Sequence, residues 1–308
     1  MKPYILVIGS SNTDMVVKAD RLPVPGETVL GGAFVMAGGG KGANQAVAAA
    51  RLGGEVIFIA KVGDDIFGKQ AVESFKREGI DTSLIVTDPV HPSGVALITV
   101  DAKAENCIVV ASGANSNLMP DDLPAAEEKI KNASIILMQL EIPVATVTYV
   151  AERAARYGIK LILNPAPACE LSDDVLEKVT IITPNQKEAE MLTGIKATSR
   201  SGAEAAARAL SEKGINTVII TMGAVGALIL QNDKLEWIPA PTVRAVDTTA
   251  AGDVFSGALA VALSEGQTVK QAAVFACAAA ALSVTKMGAQ TSAPARNETD
   301  DFLRTLAL

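Results

Sequence analysis

Six stretches of this chain are apolar almost without a break and rich in isoleucine and valine: YILVIG at 4–9, EVIFIAKVG at 55–63, SIILMQL at 134–140, IKLILNP at 159–165, VTIITPN at 179–185 and NTVIITMG at 216–223. A strand with one wet face alternates apolar and polar residues, whereas a strand covered on both faces need not. These runs therefore predict buried strands of a parallel sheet. Between them, apolar positions recur at helical spacing over 42–53, 66–79, 121–132, 144–157, 186–194 and 201–213. Several of these patterns stop at glycine, in RLGG, REGI, RYGI and EKGI, the residue that most readily adopts the left-handed helix terminator. Beyond residue 246 the pattern is mostly helical, over 250–265, 268–284 and 297–306. The alternation predicts an α/β fold, a doubly wound, mostly parallel central sheet flanked by helices.

Two segments break the alternation. Residues 14–36 carry short β-like pieces around the turn PVPGE, and 93–111 read as a hairpin with a polar turn at 101–106. No helical pattern is at hand to cover either. We expect them to form a small separate sheet over the mouth of the main one. Such a lid, drawn from about 12–37 and 93–111, would be inserted in a single domain spanning 1–308.

Composition narrows the function. Hydrophobic residues make up 49% of the 308 and 25 are glycine, which suits a compact fold with many tight turns. The formal net charge is −7, and no run of Lys or Arg suggests nucleic acid or an anionic membrane surface as a partner. Cys107, Cys169 and Cys277 are odd in number and far apart, so reduced, buried thiols are expected rather than disulfides or a zinc site. The opening apolar run of five residues is too short for a secretory signal, and the alanine-rich stretch 272–284 is too short to span a bilayer. A soluble, cytoplasmic protein is the expectation. The one histidine, His91 in the turn-like DPVHPSG, argues against Ser-His-Asp hydrolysis and His-ligated metals.

In an open α/β sheet, ligands sit beyond the carboxyl ends of the strands. GSSNTD places Asn12 and Asp14 there, after the first strand. Asp14 can accept from two neighbouring hydroxyls and Asn12 can both donate and accept, which suits a small polyol. A turn using both only for backbone hydrogen bonds is the simpler account of this segment by itself. In AGGGKGANQAVAAARLGG, Gly38, Gly39, Gly40 and Gly42 would let backbone approach a ligand or hinge. Lys41 adds a point charge and Asn44 sits on the first turn of an alanine-rich helix, a plausible oxyanion or phosphate end. The stretch is neither a Walker A motif nor a dinucleotide fingerprint. In TPNQKEAEMLTG, Asn185 and Glu188 share a helix face, able to hold a hydrated magnesium ion or simply to cap the helix. The turn TMGAVGA at 221–227 either offers backbone to a nucleotide or makes a tight hairpin between two apolar strands.

The sharpest signal is VDTTAAGDVFSGALA at 246–260. A helix starting near Ala250 would direct the N–H groups of Ala251, Gly252 and Asp253 outward at its positive end, and small side chains leave room for a phosphoryl group. Asp253 can take a proton from an attacking hydroxyl while the amides stabilise the transferring group, effects worth on the order of 10²–10⁴ in rate. A carboxylate placed only to complement the helix dipole explains Asp253 but not the run of small residues before it. Asp247 lies outside that helix and is a candidate cation ligand.

Together, GSSNTD, GGKGANQAVAAA, VGDD, SGVALI, GAN, MQLE, LNPAPA, TPN with EAE and LTG, VDTTAAGD with GAL, and GAQTS resemble, in this order and over essentially the whole chain, the ribokinase (PfkB) family of carbohydrate kinases. The resemblance implies a ribokinase-like fold and transfer of the γ-phosphoryl group of ATP to the 5-hydroxyl of D-ribose. Asp253 would be the base, and the backbone of Ala250, Ala251, Gly252 and Asp253 the anion hole. The sugar would be held by Asn12, Asp14, Gly40, Lys41, Asn44, Glu141 and Asp253, with Ala96, Ile108 and Val110 from the lid and Gly39–Gly40 as its hinge. Nucleotide contacts would fall on Asn185, Thr221, Met222, Gly223, Ala224, Val225, Gly226, Gly252, Asp253 and Cys277. Asn185 and Glu188 would organise magnesium indirectly. An activating potassium ion would fall on Asp247, Thr249, Ser283, Lys286, Gly288 and Ser292, several through backbone carbonyls, and paired lids would make a homodimer. Cys277 stands where the family often has a more polar residue near the adenine, and three glycines rather than two precede Lys41.

Ribose is favoured over 2-deoxyribose, because a site built to hydrogen-bond a hydroxyl rejects an analogue that lacks it. A nucleoside would want aromatic walls, and aromatics are 4% of the chain. A phosphorylated sugar would want basic residues near the lid, where 93–111 offers only Lys103. A non-catalytic binding protein would have no need of Asp253, and a dehydrogenase would need G-x-G-x-x-G after the first strand.

Overall fold

Every residue of the first strand, β1 (Ile5–Ile8), is fully buried, and successive side chains enter two different cores, Ile5 and Val7 on one side of the sheet, Leu6 and Ile8 on the other. That is the physical content of an unbroken apolar run, since a pleated strand sends alternate residues to opposite faces. These positions come from a computed structural model, which describes residues 3–103 and 105–306. After β1 come β2 (Asn12–Lys18), β3 (Phe34–Gly39), α1 (Lys41–Arg51), β4 (Val56–Ile59), β5 (Lys61–Gly63), α2 (Ile66–Arg77), β6 (Val86–Asp88), β7 (Gly94–Val100) and β8 (Asn106–Ala111). The middle supplies α3 (Glu127–Asn132), β9 (Ile135–Met138), α4 (Val144–Tyr157), β10 (Lys160–Leu163), α5 (Asp173–Leu176), β11 (Ile181–Ile182), α6 (Gln186–Thr193) and α7 (Arg200–Glu212). Last come β12 (Thr217–Thr221), β13 (Gly226–Gln231), β14 (Lys234–Pro239), α8 (Ala251–Ser264), α9 (Val269–Ser283) and α10 (Arg296–Leu306).

The central sheet has eight strands in the order β14, β13, β12, β11, β10, β9, β1, β4. Pairing is parallel from β4 through β12, and β13 and β14 add an antiparallel hairpin at one edge. Helices α1, α8 and α9 pack on one face, α3, α4 and α7 on the other. This is the doubly wound arrangement expected. The two segments that broke the alternation build one four-stranded sheet, in the order β3, β2, β7, β8, with β2 and β7 parallel at its centre. Residue 104, in the turn expected at 101–106, lies outside the described residues. No helix among the described residues is long and apolar enough to cross a membrane.

Several expectations are corrected. The run 55–63 is two strands: β1 stops at Ile8, so β4 loses its neighbour after Ile59, and β5 pairs instead with β6 in a separate two-stranded sheet. The run 179–185 yields only the two residues of β11, because Pro184 has no N–H to offer a ladder. Helix 121–132 shrinks to α3, since Pro120 and Pro124 impose short 3₁₀ turns before it. Of the three thiols only Cys277 is buried; Cys169 is half-buried and Cys107, on the outer strand β8, is exposed.

Helices α1 and α8 approach closely because both present alanine and glycine at their contact. A Cβ on Gly257 would lie 2.8 Å from the Gln45 carbonyl and 3.0 Å from Ala48 Cβ. Gly257→Ala is therefore expected to lose about 1–3 kcal/mol by overpacking, despite the better helix propensity of alanine. A urea midpoint equal to or above that of the unsubstituted protein would contradict this account.

Candidate active site

Helix α8 begins at Ala251, and the preceding residue, Ala250, is left-handed at φ 59°, ψ 12°. For a residue with a Cβ this conformation costs roughly 1–2 kcal/mol, and such outliers cluster where a site demands them. The turn through Ala250 bends Ala251 back, so that its N–H donates to Thr248 O at 3.3 Å. This corrects the expectation that all three first-turn amides point outward. The N–H groups of Gly252 and Asp253 find no acceptor among the described residues, and a Cβ built on Gly252 would meet nothing within 4 Å. Open space faces the positive end of this helix.

Asp253, 5% exposed, lies beside that space. Its Oδ2 accepts a hydrogen bond from Asn44 Nδ2 and its Oδ1 one from Gln45 Nε2, each at 2.9 Å. Each oxygen retains a second lone pair for a proton. Burial pushes its pKa up; the Lys41 ammonium and the two amides oppose the rise, and Glu141 adds to it. Asn44 Oδ1 is buried without a hydrogen-bond donor, an acceptor left open beside the base.

The expected sugar-side residues converge here. Glu141 accepts hydrogen bonds from Ser10 Oγ at 2.5 Å and from Lys41 N–H at 2.9 Å. Asn12 is more restricted than its chemistry allows. Asn115 Nδ2 donates to Asn12 Oδ1 at 2.7 Å, and Asn115 is itself clamped by the Ser11 N–H and carbonyl. That bond fixes the amide's orientation and leaves the Asn12 NH₂ as a donor for a ligand, beside the carboxylate of Asp14. Burial, then Glu141 and Asp253, push Asp14 up to about 6 against the pull of Lys41. Burial disfavours the charge on Lys41, but Asp253, Glu141, Glu188 and Asp14 outweigh it and raise its pKa. One ammonium thus stands among four carboxylates.

The glycines serve the chain itself before any ligand. A Cβ on Gly39 would lie 2.1 Å from Asp14 Oδ1, and Gly40, at φ 87°, would drive one to 2.8 Å from Asn12 N. The glycine-rich stretch is what lets the start of α1 press against Asn12 and Asp14. Ala96 pairs with both Asp14 and Val110 across the small sheet, which puts all three on one face, with Ile108 two residues further along. Ala96 is buried, whereas Ile108 and Val110 are about half exposed.

Among the expected nucleotide contacts, Thr221 N–H donates to Pro184 O at 2.9 Å, bringing the end of β12 beside Asn185. Gly223, Ala224 and Val225 form a single 3₁₀ turn, closed by Met222 N–H on Gly226 O at 2.7 Å. Gly226 sits at φ 115°, where a Cβ would fall 1.9 Å from Ile238 O, so the hairpin reading of this turn holds. Asn185 and Glu188 form a capping box: Asn185 Oδ1 accepts from Glu188 N–H, and both Glu188 oxygens accept from Asn185. Cys277 packs into the core with its thiol pushed up to about 12 by burial.

Three of the six expected potassium ligands are tied together. Asp247 accepts from Thr249 N–H and Oγ1 and from Gly288 N–H at 2.7–2.9 Å. Burial works against this carboxylate, but those bonds hold it below its usual range. The side chains of Ser283 and Ser292 instead donate to Ala280 O and Ala289 O, and Lys286 pairs with Glu298. Both serine hydroxyls keep their lone pairs while donating and can still offer oxygen to a cation, whereas the Lys286 ammonium cannot and leaves only its carbonyl. The residues missed in the sequence are Ser10 and Asn115, and the amides behind Asp253: Gln45, Gln139 and Asn164. The signal was a lone Gln or Asn inside SIILMQL and IKLILNP, where an apolar strand should have none.

This constellation, a buried carboxylate beside free helix N-terminal amides on a doubly wound sheet, is that of a phosphotransferase. The sequence pattern of the pfkB family carbohydrate kinases matches residues 2–296, and the chain belongs to that family. It is 46% identical to a ribokinase of Haemophilus influenzae over 98% of this chain and 99% of that one. It is 41% identical to a deoxyribokinase of Salmonella typhimurium, over 97% and 98%. The solved structure of Arabidopsis thaliana ribokinase complexed with ribose and ATP superposes with a TM-score of 0.94 at 31% identity, covering 99% of both chains.

The crowding of carboxylates has a thermodynamic consequence. Asp14 has a folded pKa of about 6, above its reference of 3.8, so folding disfavours its ionised form. The penalty is absent below the reference value, grows as pH rises, and is complete above about 6. Asp14→Asn should stabilise the fold at pH 8, by up to about 2–3 kcal/mol, and leave it nearly unchanged at pH 4. Thermal melts at the two pH values would check this; an equal effect at both would refute it.

Proposed function

We propose that this protein transfers the γ-phosphoryl group of ATP to the 5-hydroxyl of D-ribose, giving D-ribose 5-phosphate and ADP. The observation that carries the reading is Asp253, buried, held by two amides and next to unpaired N–H groups at the start of α8. Asp253 accepts the proton of the 5-hydroxyl as its oxygen bonds to the γ-phosphorus. The bond from that phosphorus to the bridging oxygen breaks, and ADP leaves with the electron pair. The Gly252 and Asp253 amides stabilise charge on the group in transit, with Ala250 and Ala251 shaping the turn.

The Asn12 NH₂ and the Asp14 carboxylate offer one donor and one acceptor to vicinal hydroxyls, while Asn44 Oδ1, Lys41, Gly40 and Glu141 line the rest of the sugar site. ATP lies against Thr221–Gly226 and Asn185, with Cys277 beneath the adenine. Four carboxylates around one ammonium repel the phosphates, which suits a site that works with cations. Oxygen donors suit hard ions. Glu188 and Asn185 would hold hydrated Mg²⁺, and Asp247, Thr249, Ser283, Lys286, Gly288 and Ser292, several through backbone carbonyls, would hold K⁺. Magnesium, when bound, neutralises phosphate charge. The small sheet is a lid hinged at Gly39–Gly40 in a single domain over 1–308. Ala96, Ile108 and Val110 of the lid close over the sugar on the face that carries Asp14, and paired lids join two copies in a cytoplasmic homodimer.

A second reading, 2-deoxyribose as substrate, is favoured by the 41% identity to a deoxyribokinase. The Asn12–Asp14 pair favours ribose. Asp253→Asn is expected to bind ATP normally and to lose on the order of 10²–10⁴ in turnover. A coupled assay on ribose, 2-deoxyribose, fructose and nucleosides, with and without potassium, should show about tenfold or greater preference for ribose. Equal rates on the two pentoses would defeat the role given to Asn12 and Asp14.

A further inference from the structure

We propose that Gln45 is a positioning residue for Asp253, holding the carboxylate ionised and aimed at the acceptor hydroxyl through a one-way chain of side-chain amides. The inference rests on the reading of Asp253 as the base. The chain begins at a backbone carbonyl, which can only accept. Asn164 Nδ2 donates to Thr183 O at 3.0 Å, so Asn164 turns its Oδ1 toward Gln45. Gln45 Nε2 must then donate, and it does so twice, to Asn164 Oδ1 at 3.0 Å and to Asp253 Oδ1 at 2.9 Å. From the other side Gln139 Nε2 donates to Gln45 Oε1 at 2.6 Å, which closes off any flip of that amide. The direction of every bond is set without reference to Asp253, so its Oδ1 faces an N–H donor whatever its own protonation state. That donor bonds a carboxylate oxygen more strongly than the carbonyl oxygen of the neutral acid, so it favours the ionised form.

The fold keeps this chain at a loss. Gln45 and Gln139 are fully buried, and Gln139 Oε1 has no donor in the core. Gly9 must lack a side chain to admit it, since a Cβ there would lie 2.1 Å from that oxygen. A side chain retained for packing would not leave half its amide unpaired. Among the described residues, the one hydrogen bond that Gln139 makes through its side chain points to Gln45. The other charges facing Asp253 divide: Lys41 favours its ionised form, and Glu141, Asp14 and Glu188 oppose it. Burial and the three carboxylates raise the pKa of Asp253; Lys41 opposes them most, and the Gln45 amide, with Asn44, adds to that pull toward a carboxylate ready to take a proton.

The test compares Gln45→Met, Gln139→Met and Asp253→Asn with the unsubstituted enzyme, measuring ribose phosphorylation from pH 4.5 to 9 along with melting temperature. Gln45→Met should move the acid limb of kcat upward by about one pH unit. At the acid end turnover should fall about tenfold, and the two enzymes should converge above the shifted limb. KM for ribose and ATP should change by less than about threefold. Gln139→Met should shift the limb less, in the same direction, and melt no lower than the unsubstituted enzyme. It decides the question by itself should Gln45→Met fail to fold. Folded variants with an unshifted acid limb, or a loss of turnover equal at every pH, would overturn the role of Gln45 while leaving Asp253 as base. Substantial turnover by Asp253→Asn would instead overturn the base, and this inference with it.

Discussion

The carboxylate of Asp253, closed off from water and gripped by Asn44 and Gln45, joins the first turns of two helices that lie some two hundred positions apart in the chain. Neither amide would reach if α1 and α8 stood at an ordinary helix separation. The alanines of α1 and the glycine at 257 are therefore part of the chemistry, although none touches a reactant. They set the distance at which a charge can be buried and still be satisfied.

Around that contact the protein accepts several destabilising features at once. Ala250 is left-handed, Asn44 and Gln139 each bury an unpaired carbonyl oxygen, and Asp14 is held among like charges. Elsewhere in the core such features are scarce, and the strands are apolar on both faces. Local conflicts concentrated at one place are what a functional site looks like in a sequence otherwise consistent with its fold. Most of them are unmet demands of one kind: an acceptor without a donor, N–H groups without an acceptor, and carboxylates in excess of the one ammonium among them.

The donors behind the site also constrain what it recognises. Asn115 fixes the orientation of the Asn12 amide, and Asp14 beside it supplies acceptors alone, so the pair offers complementary chemistry, a donor next to a carboxylate. The glycines at 39 and 40 bring the start of α1 against these two residues, and Asp14 stands within the small sheet. The position of the small sheet and the placement of Asn12 and Asp14 are thus mechanically linked.

Much of this was legible along the chain. Periodicity gave away the central strands and most helices, because burial on both faces of a sheet demands unbroken apolar runs, and because glycine ends helices for a local steric reason. Asp253 and its small neighbours were readable for the same kind of reason: a helix start exposes amides whatever surrounds it. What could not be read was anything depending on who faces whom. Asp247 is held by an N–H from residue 288, Asn12 is oriented by Asn115, and Ala251 turns inward. The chain of amides from Thr183 to Asp253 runs through four segments remote in sequence. Propensity and spacing are properties of a segment and so belong to the sequence; hydrogen-bond partnership inside a core belongs to the packing, and only the tertiary structure decided it.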